Sequence, residues 1–395
     1  MPPDTSCASP AFLSRFQCIG ADCEDTCCKG WKMQVDSVTL ERYKTQAPEL
    51  LASVVQDDGE CNMKRDPHTD YCVKLDGGLC GIQSAYGEEF LGNACALYPR
   101  LTRSLGTSTV MAAAPSCPEI VRLALTQQDG FALMPIDSGR SVSAATNFLP
   151  DGINDSQAIA IHTLFLDAVL NDTVSAERSL MCIFVATQSL SKISPGAWPD
   201  AVPFYLQHAE LSLPSPDRHT TDPLYLLQSL CGLVAAAKYA HNPRLMQTVH
   251  AMEAALHATI RMDTLAIATL PDQAYASEAL HQRWDKEWKD HYATVLRRYT
   301  ALELSLAFFP FAGFGNTLSE RIAIIGIRLA TVKLALMGAC AAAGGIAPQT
   351  DTVRVIQSLS RFLDHLAEPE FSLRIYTETG WLQAARLRGL LDDRP

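Results

Sequence analysis

A net charge of −11 over 395 residues, 32 basic against 43 acidic, leaves no positive footprint for a phosphate backbone and excludes a general nucleic-acid binder. With 48% hydrophobic and 19% charged residues, the chain has the make-up of a globular protein long enough for two domains, or for one with a large extension. Thirteen cysteines are present, and ten of them fall at or before Cys117, so the front of the chain has a chemistry of its own.

The opening MPPDTSCASPAFLSRFQC has no charged-then-apolar arrangement of a secretory signal. The expected location is therefore cytoplasmic, where thiols stay reduced and disulfides are uncommon. Cys7 is expected in a loose polar tail. CIGADCEDTCCKGW, Cys18 to Trp31, then sets four thiols among Asp22, Glu24 and Asp25. Soft thiolates suit zinc, copper(I) or iron–sulfur clusters, and the spacing alone does not choose among them. It is not the paired C-x-x-C of a zinc ribbon. A C-x3-C-x2-C cradle would need a third cysteine where Gly30 stands. Side chains of the adjacent Cys27 and Cys28 diverge in regular structure, so only a turn brings both thiols to one site, and Gly20 and Gly30 suit such a turn.

Cys61, in the charged stretch DDGECNMKRD, is expected outside the ligand set. Then come Cys72 and Cys80 around a Gly-Gly turn, Cys95 followed by Tyr98-Pro99-Arg100, and Cys117 followed by Pro118-Glu119. From Pro118 to Leu125 the pattern is helical, with Pro118 in the first turn and Glu119 complementing the dipole. Pro135 to Gly152 reads as a linker. Beyond it, helices are expected over Ile159–Leu170, Leu226–Ala240, from Asn242-Pro243 through Ile260, and over Val353–Leu366. Trp284, Trp288, Tyr292, Val295, Tyr299, Leu302, Leu306 and Phe309 form one face of a long helix, ended by Pro310, Gly313 and Gly315. The stripe from Leu318 to Leu336 is its antiparallel neighbour. The apolar run Ile322–Ile346 contains Arg328 and Lys333, so no uncharged stretch is long enough to span a bilayer. Cys182, Cys231 and Cys340 fall inside apolar helical patterns, as small buried hydrophobes. The expected fold is mainly α: a compact, irregular cysteine-rich module (1–134), a linker (135–152) and a multi-helix C-terminal domain (153–395).

The motifs F-x-C-x-G, C-E-D-T-C-C-x-G-W, L-C, C-x-x-Y-P-R and S-C-P-E, in that order from Phe16 to about Leu125, resemble the flagellin lysine-N-methylase family (FliB) and the broader cysteine-rich group described as zinc- or iron-chelating. Arg297–Phe311, with its terminal F-P-F, is similar to a further family segment, without the Asn-Tyr pair often found there. The resemblance implies an S-adenosylmethionine-dependent enzyme that methylates lysine ε-amino groups of flagellin or another lysine-bearing protein. It also implies an iron–sulfur cluster, 4Fe–4S, with zinc as the alternative. Carried over by position, the ligand candidates are Cys18, Cys23, Cys27, Cys28, Cys72, Cys80, Cys95 and Cys117. Eight thiols exceed the four that one cluster takes, so two centres share them or some are structural.

No G-x-G-x-x-G follows a strand, so the common nucleotide loop is missing. A transferase acting on lysine needs a base, because an ammonium has no lone pair. Glu24, Asp25 and Glu119 stand beside candidate ligands and are the catalytic candidates; as ordinary acids they would be solvated or cap helices. Trp31 could stack on adenine or pack a methylated amine, or simply wall a metal site. Arg100 could hold the carboxylate of S-adenosylmethionine, or enter an internal salt bridge. His250, Glu253 and His257 share one side of a helix without an evident partner helix. The functional expectation is a protein-lysine N-methyltransferase. The alternative is a non-catalytic zinc- or iron-binding module fused to a helical interaction domain. Phe308–Phe314 could touch a membrane peripherally, although a helix corner accounts for it.

Overall fold

The computed structural model describes residues 7–57, 59–105, 108–127, 129–136, 149–237, 242–269, 273–364 and 369–391. Most of the expected 135–152 linker lies outside them. In the front third, β1 (Cys7–Pro10) is followed by α1 (Ser37–Gln46), the ribbon β2 (Val54–Asp57) and β3 (Glu60–Met63), and the hairpin β4 (Leu75–Asp76) and β5 (Leu79–Cys80). Short helices α2 (Gly81–Tyr86) and α3 (Asn93–Leu97) come next, then β6 (Arg100–Leu105), β7 (Ser108–Ala113), α4 (Pro118–Thr126) and β8 (Leu133–Ile136). The remainder is helical: α5 (Asp155–Leu170), α6 (Ala176–Leu190), α7 (Trp198–His208), α8 (Asp222–Ala236), α9 (Pro243–Ala255), the ribbon β9 (Ala258–Ile260) and β10 (Ile267–Thr269), α10 (Gln273–Arg283), α11 (Lys289–Ala307), α12 (Leu318–Ala343), α13 (Gln349–Asp364), α14 (Pro369–Glu378) and α15 (Ala384–Leu391). The protein is mainly α, with a cysteine-rich front and a multi-helix body.

Two cores form. A small one gathers Met33, Val35, Tyr43, Leu50, Met63, Cys72, Ile82 and Leu91. The large one runs from Cys7, Phe12 and Leu13 through β7 and α4 into every long helix of the body. Residues before and after the 135–152 stretch therefore share one core. The cysteine-rich unit with a core of its own is the narrower segment between about Cys28 and Ala96. A four-stranded sheet of order β6-β7-β1-β8 joins the two parts, β1 pairing parallel with β7 and antiparallel with β8. Cys7 is thus a buried strand residue, not part of a loose tail.

Helix α12 is central and packs on α6, α9, α11, α13 and α15. Its capping box, Thr317 with Glu320, starts it and Gly344 in the left-handed region ends it,. By length and composition it could cross a bilayer, but 94% of its most apolar stretch is buried inside the protein. Its two interior cations are paired. Lys333 Nζ lies 2.8 Å from Glu177, and Arg328 binds Glu303 and Asp364. The tryptophan stripe does not form one continuous helix. A π turn at Trp284–Trp288 separates α10 from α11, and α11 closes at Phe308 in the left-handed conformation. Phe308, Phe309 and Phe311 are all buried, so this corner presents core side chains rather than a membrane face.

Candidate functional site

Four thiols come together because four separate pieces of backbone deliver them. Cys28 lies in an irregular bend flanked by Gly20 and Gly30, both with positive φ. Cys72 is joined to it by its own N–H, which donates to the Cys28 carbonyl at 2.8 Å. Cys80 ends the β4–β5 hairpin, whose two-residue loop Gly77-Gly78 has φ values of 55° and 82°; two successive positive φ angles are what glycine supplies to a tight hairpin. Cys95 sits on α3, whose first N–H (Asn93) donates to Asp36 at 2.9 Å. Asp36 also caps α1, and Tyr43 of α1 donates to the Phe90 carbonyl at 2.8 Å. Cys28, Cys72, Cys80 and Cys95 then surround a small cavity of about 70 Å³, with Cys27 at its rim. The turn brings the adjacent Cys27 and Cys28 to the same cavity.

Burial and mutual proximity hold these thiols protonated. Burial, then the neighbouring Cys28 and Cys80, pushes Cys72 up to about 11. Burial, then Cys28, Cys72 and Cys80, pushes Cys95 up to about 12. The neighbouring Cys27 thiol, then burial, moves Cys28 upward as well. Among the described residues, no three His, Cys, Asp or Glu side chains close on a single metal ion. As a donor set, four soft thiols on one cavity fit an iron–sulfur cluster.

Cys18, Cys23 and Cys117 form a separate neighbourhood. Cys117 precedes Pro118 at the start of α4 and makes no side-chain cap hydrogen bond there. The eight candidate ligands thus divide into two groups. Cys61 packs against the small core, Cys231 and Cys340 are buried in helices, and Cys182 is half-buried.

The three acids expected to be catalytic are tied into ion pairs and line none of the cavities described below. Glu24 and Glu119 both grip Arg122, and Arg122 holds the Glu24 carboxyl below the usual carboxylate range. Asp25 accepts from Arg361 at 2.7 Å and Gln357 at 2.8 Å. Arg361 also donates to the Thr26 and Lys29 carbonyls, and Arg244 donates to the Glu24 carbonyl at 3.2 Å. These acids and arginines clamp the cysteine loop to α4, α9 and α13. Of the helix set proposed from His250, Glu253 and His257, Glu253 instead accepts from the Ile260 N–H at 2.7 Å, and His257 lies beyond the end of α9.

A cleft of about 830 Å³ opens between the cysteine-rich unit and the body. Trp31, Gln34 and Tyr98 line both this cleft and the thiol cavity, so these three residues are a shared wall. Trp31 Nε1 donates to the Cys27 carbonyl at 2.7 Å, and its ring centre lies 5.8 Å from that of Tyr98. Tyr98 is fixed by Ser116 at 3.1 Å. Arg100 lines the cleft with its guanidinium 5.1 Å over the Phe16 ring. Both residues expected at a cofactor site, Trp31 and Arg100, face this one space.

The opposite wall holds groups the sequence reading missed: Glu303 on α11, Arg321 and Arg328 on α12, and Asp364 on α13, with Arg103 on β6. Arg328 Nη1 donates to Glu303 Oε2 at 2.9 Å and to Asp364 Oδ1 at 2.8 Å. Burial raises both carboxyls above the usual range, against the pull of Arg328. Glu303 Oε1, Asp364 Oδ2 and Arg103 Nε are buried and have no hydrogen-bond partner among the described residues. A signal for them existed. Glu303 lies in the apolar run ALELSLAFF and Arg328 in IAIIGIRLA, and a lone charge on an apolar helix needs a partner or a ligand.

No family model and no solved structure matches the chain. Curated relatives do. The chain is 30% identical over 134 residues to the lysine-N-methylase of Salmonella typhimurium (strain LT2), a match that covers 31% of this chain and 33% of the relative. It is 29% identical over 134 residues to the lysine-N-methylase of Salmonella choleraesuis (strain SC-B67), 33% of that protein. It is also 29% identical over 134 residues to the flagellar biosynthetic protein FliU of Salmonella muenchen, 79% of that protein. The match spans about a third of the length of the two methylases. Over that third the chain is similar to proteins named lysine-N-methylase.

Proposed function

We propose that the chain is an S-adenosylmethionine-dependent protein-lysine N-methyltransferase acting on flagellin in the cytoplasm, with the large cleft as its active site and an iron–sulfur cluster held by Cys28, Cys72, Cys80 and Cys95. The observation that carries this reading is the shared wall: Trp31, Gln34 and Tyr98 separate four thiols from a cleft large enough for a nucleoside and a lysine side chain,. A cluster there would supply a one-electron redox centre beside the cleft. The protein's own residues do the rest. Trp31 and Tyr98 offer aromatic faces for adenine or for a methylated amine. Arg100, and Arg103 through its unpartnered Nε, offer donors for a carboxylate,. Helices α11 and α12 form the cleft's far wall.

Four soft thiols lining one cavity are a donor set that an iron–sulfur cluster takes,. The test is purification without oxygen, with iron and acid-labile sulfide assay and an absorption spectrum, followed by transfer of labelled methyl from S-adenosylmethionine to flagellin. Iron with sulfide and methylated flagellin lysines are the expected results. Zinc without sulfide overturns the cluster, and no labelled lysine overturns the transferase.

A further inference from the structure

Arg328 is one cation between two buried carboxylates, so the group carries an excess negative charge when all three are ionised. An uncompensated charge is costly to bury. Each carboxylate also keeps one oxygen unpartnered, Glu303 Oε1 and Asp364 Oδ2. Glu303 is only 3% exposed, yet it lines the large cleft together with Asp364 and Arg328. The Tyr299 hydroxyl lies near Glu303 and is likewise buried without a partner among the described residues. Pairing with Arg328 alone would leave both oxygens unsatisfied, and an apolar ligand would not satisfy them. A cation bearing N–H donors does.

We propose that Glu303, aided by Asp364, receives the ε-ammonium of the substrate lysine and takes its proton at Oε1. This inference rests on the methyltransferase reading above and assigns the lysine end of the cleft. One N–H proton passes from the ammonium to the Glu303 carboxylate, leaving a neutral amine. The nitrogen lone pair forms the bond to the methyl carbon of a sulfonium donor. The carbon–sulfur bond breaks, its pair goes to sulfur, and the donor leaves as a thioether. Glu303 then returns its proton to water. Burial, which lifts Glu303 above the usual carboxylate range, moves it toward the pH at which a base is effective. The charged and titratable groups around it are Arg328, Asp364 and Tyr299, with Tyr376 near Arg328 and Arg103 and Arg321 on the cleft walls.

The experiment compares the wild-type holoenzyme with Glu303→Gln in methylation of flagellin across pH 7 to 10. The variant is expected to lose about 10²- to 10⁴-fold near neutrality. It should regain about tenfold per pH unit as lysine, with a pKa near 10.4, loses its own proton. A deficit that stays constant with pH marks a merely structural role and overturns the proposal. A second measurement needs no turnover and no variant: calorimetry of the wild-type protein with n-butylammonium, the lysine side-chain analogue, and with n-butanol. Binding of the cation alone supports the site, and equal affinity for both, or none for either, overturns it. If wild-type protein transfers no methyl group, the functional reading falls, and n-butylammonium binding still decides whether Glu303 and Asp364 form a cation site.

Discussion

Asp25 shows how one residue can be visible in a sequence while its role is not. Its place between Cys23 and Cys27 made it a candidate base. The structure gives it Arg361, 336 positions away, as an ion-pair partner at 2.7 Å. No local pattern contains that partner. The pair is nearly buried, and Arg361 also donates to two carbonyls of the cysteine loop. Removing one member of such a pair strands the other charge, so Arg361→Met is expected to destabilise the protein by about 3–5 kcal/mol. The double variant Arg361→Met/Asp25→Leu should recover most of the loss. Urea unfolding of the four species in a double-mutant cycle measures this, and a coupling near zero would refute it. Trp31 and Arg100, by contrast, both line the cleft.

The elements were legible where a local rule sets them. Pro118 after Cys117 starts α4, Asn242 caps α9, and Leu318–Ala343 forms one uninterrupted helix. The long tryptophan stripe misled at its ends, because spacing reports a face and not the π turn or the left-handed residue that interrupts it. That corner carries a pH-sensitive contact. His162 of α5 is fully buried and packs on Phe308 with ring centres 4.6 Å apart. Its Nδ1 lies 2.8 Å from the Phe309 carbonyl, which can only accept, so the proton sits on Nδ1,. Burial lowers its pKa from 6.5 to about 4, against the carbonyl's opposing pull. The unfolded chain takes up a proton below about 6.5 that the folded chain refuses until about 4. Stability from this residue is therefore present above pH 6.5 and lost as the pH falls to about 4, on the order of 3 kcal/mol in all,. His162→Gln keeps an N–H donor and does not titrate. Its denaturant-derived stability should depend less steeply on pH across that interval than the wild type's, and an unchanged slope would count against the assignment.

At the scale of the whole molecule the mainly α class is legible in the helical spacing, and the buried residues gather in two clusters. Burial is decided by contact, and β1, β7 and α4 join the helical body although they lie among the cysteines. What remains for the cysteine-rich unit is a core of nine buried residues, one of them a ligand candidate. A unit that small gains too little from apolar burial to hold itself without a staple. Its short helices and two-stranded ribbons add little, and its clustered thiols stay protonated without a metal. Under the proposed cluster assignment, binding stabilises this unit and leaves the body, with its own large core, nearly unaffected. Hydrogen exchange on iron-loaded and chelator-stripped protein tests this. Stripping should speed exchange over the segment between about Cys28 and Ala96 and leave α12 as protected as before. The clamps from Arg122, Arg244 and Arg361 lie on the body side of that segment, so slow exchange should persist where they grip the loop. Uniform loss of protection would mean that one cooperative core governs both parts, and unchanged protection would mean that the four thiols hold no structural metal.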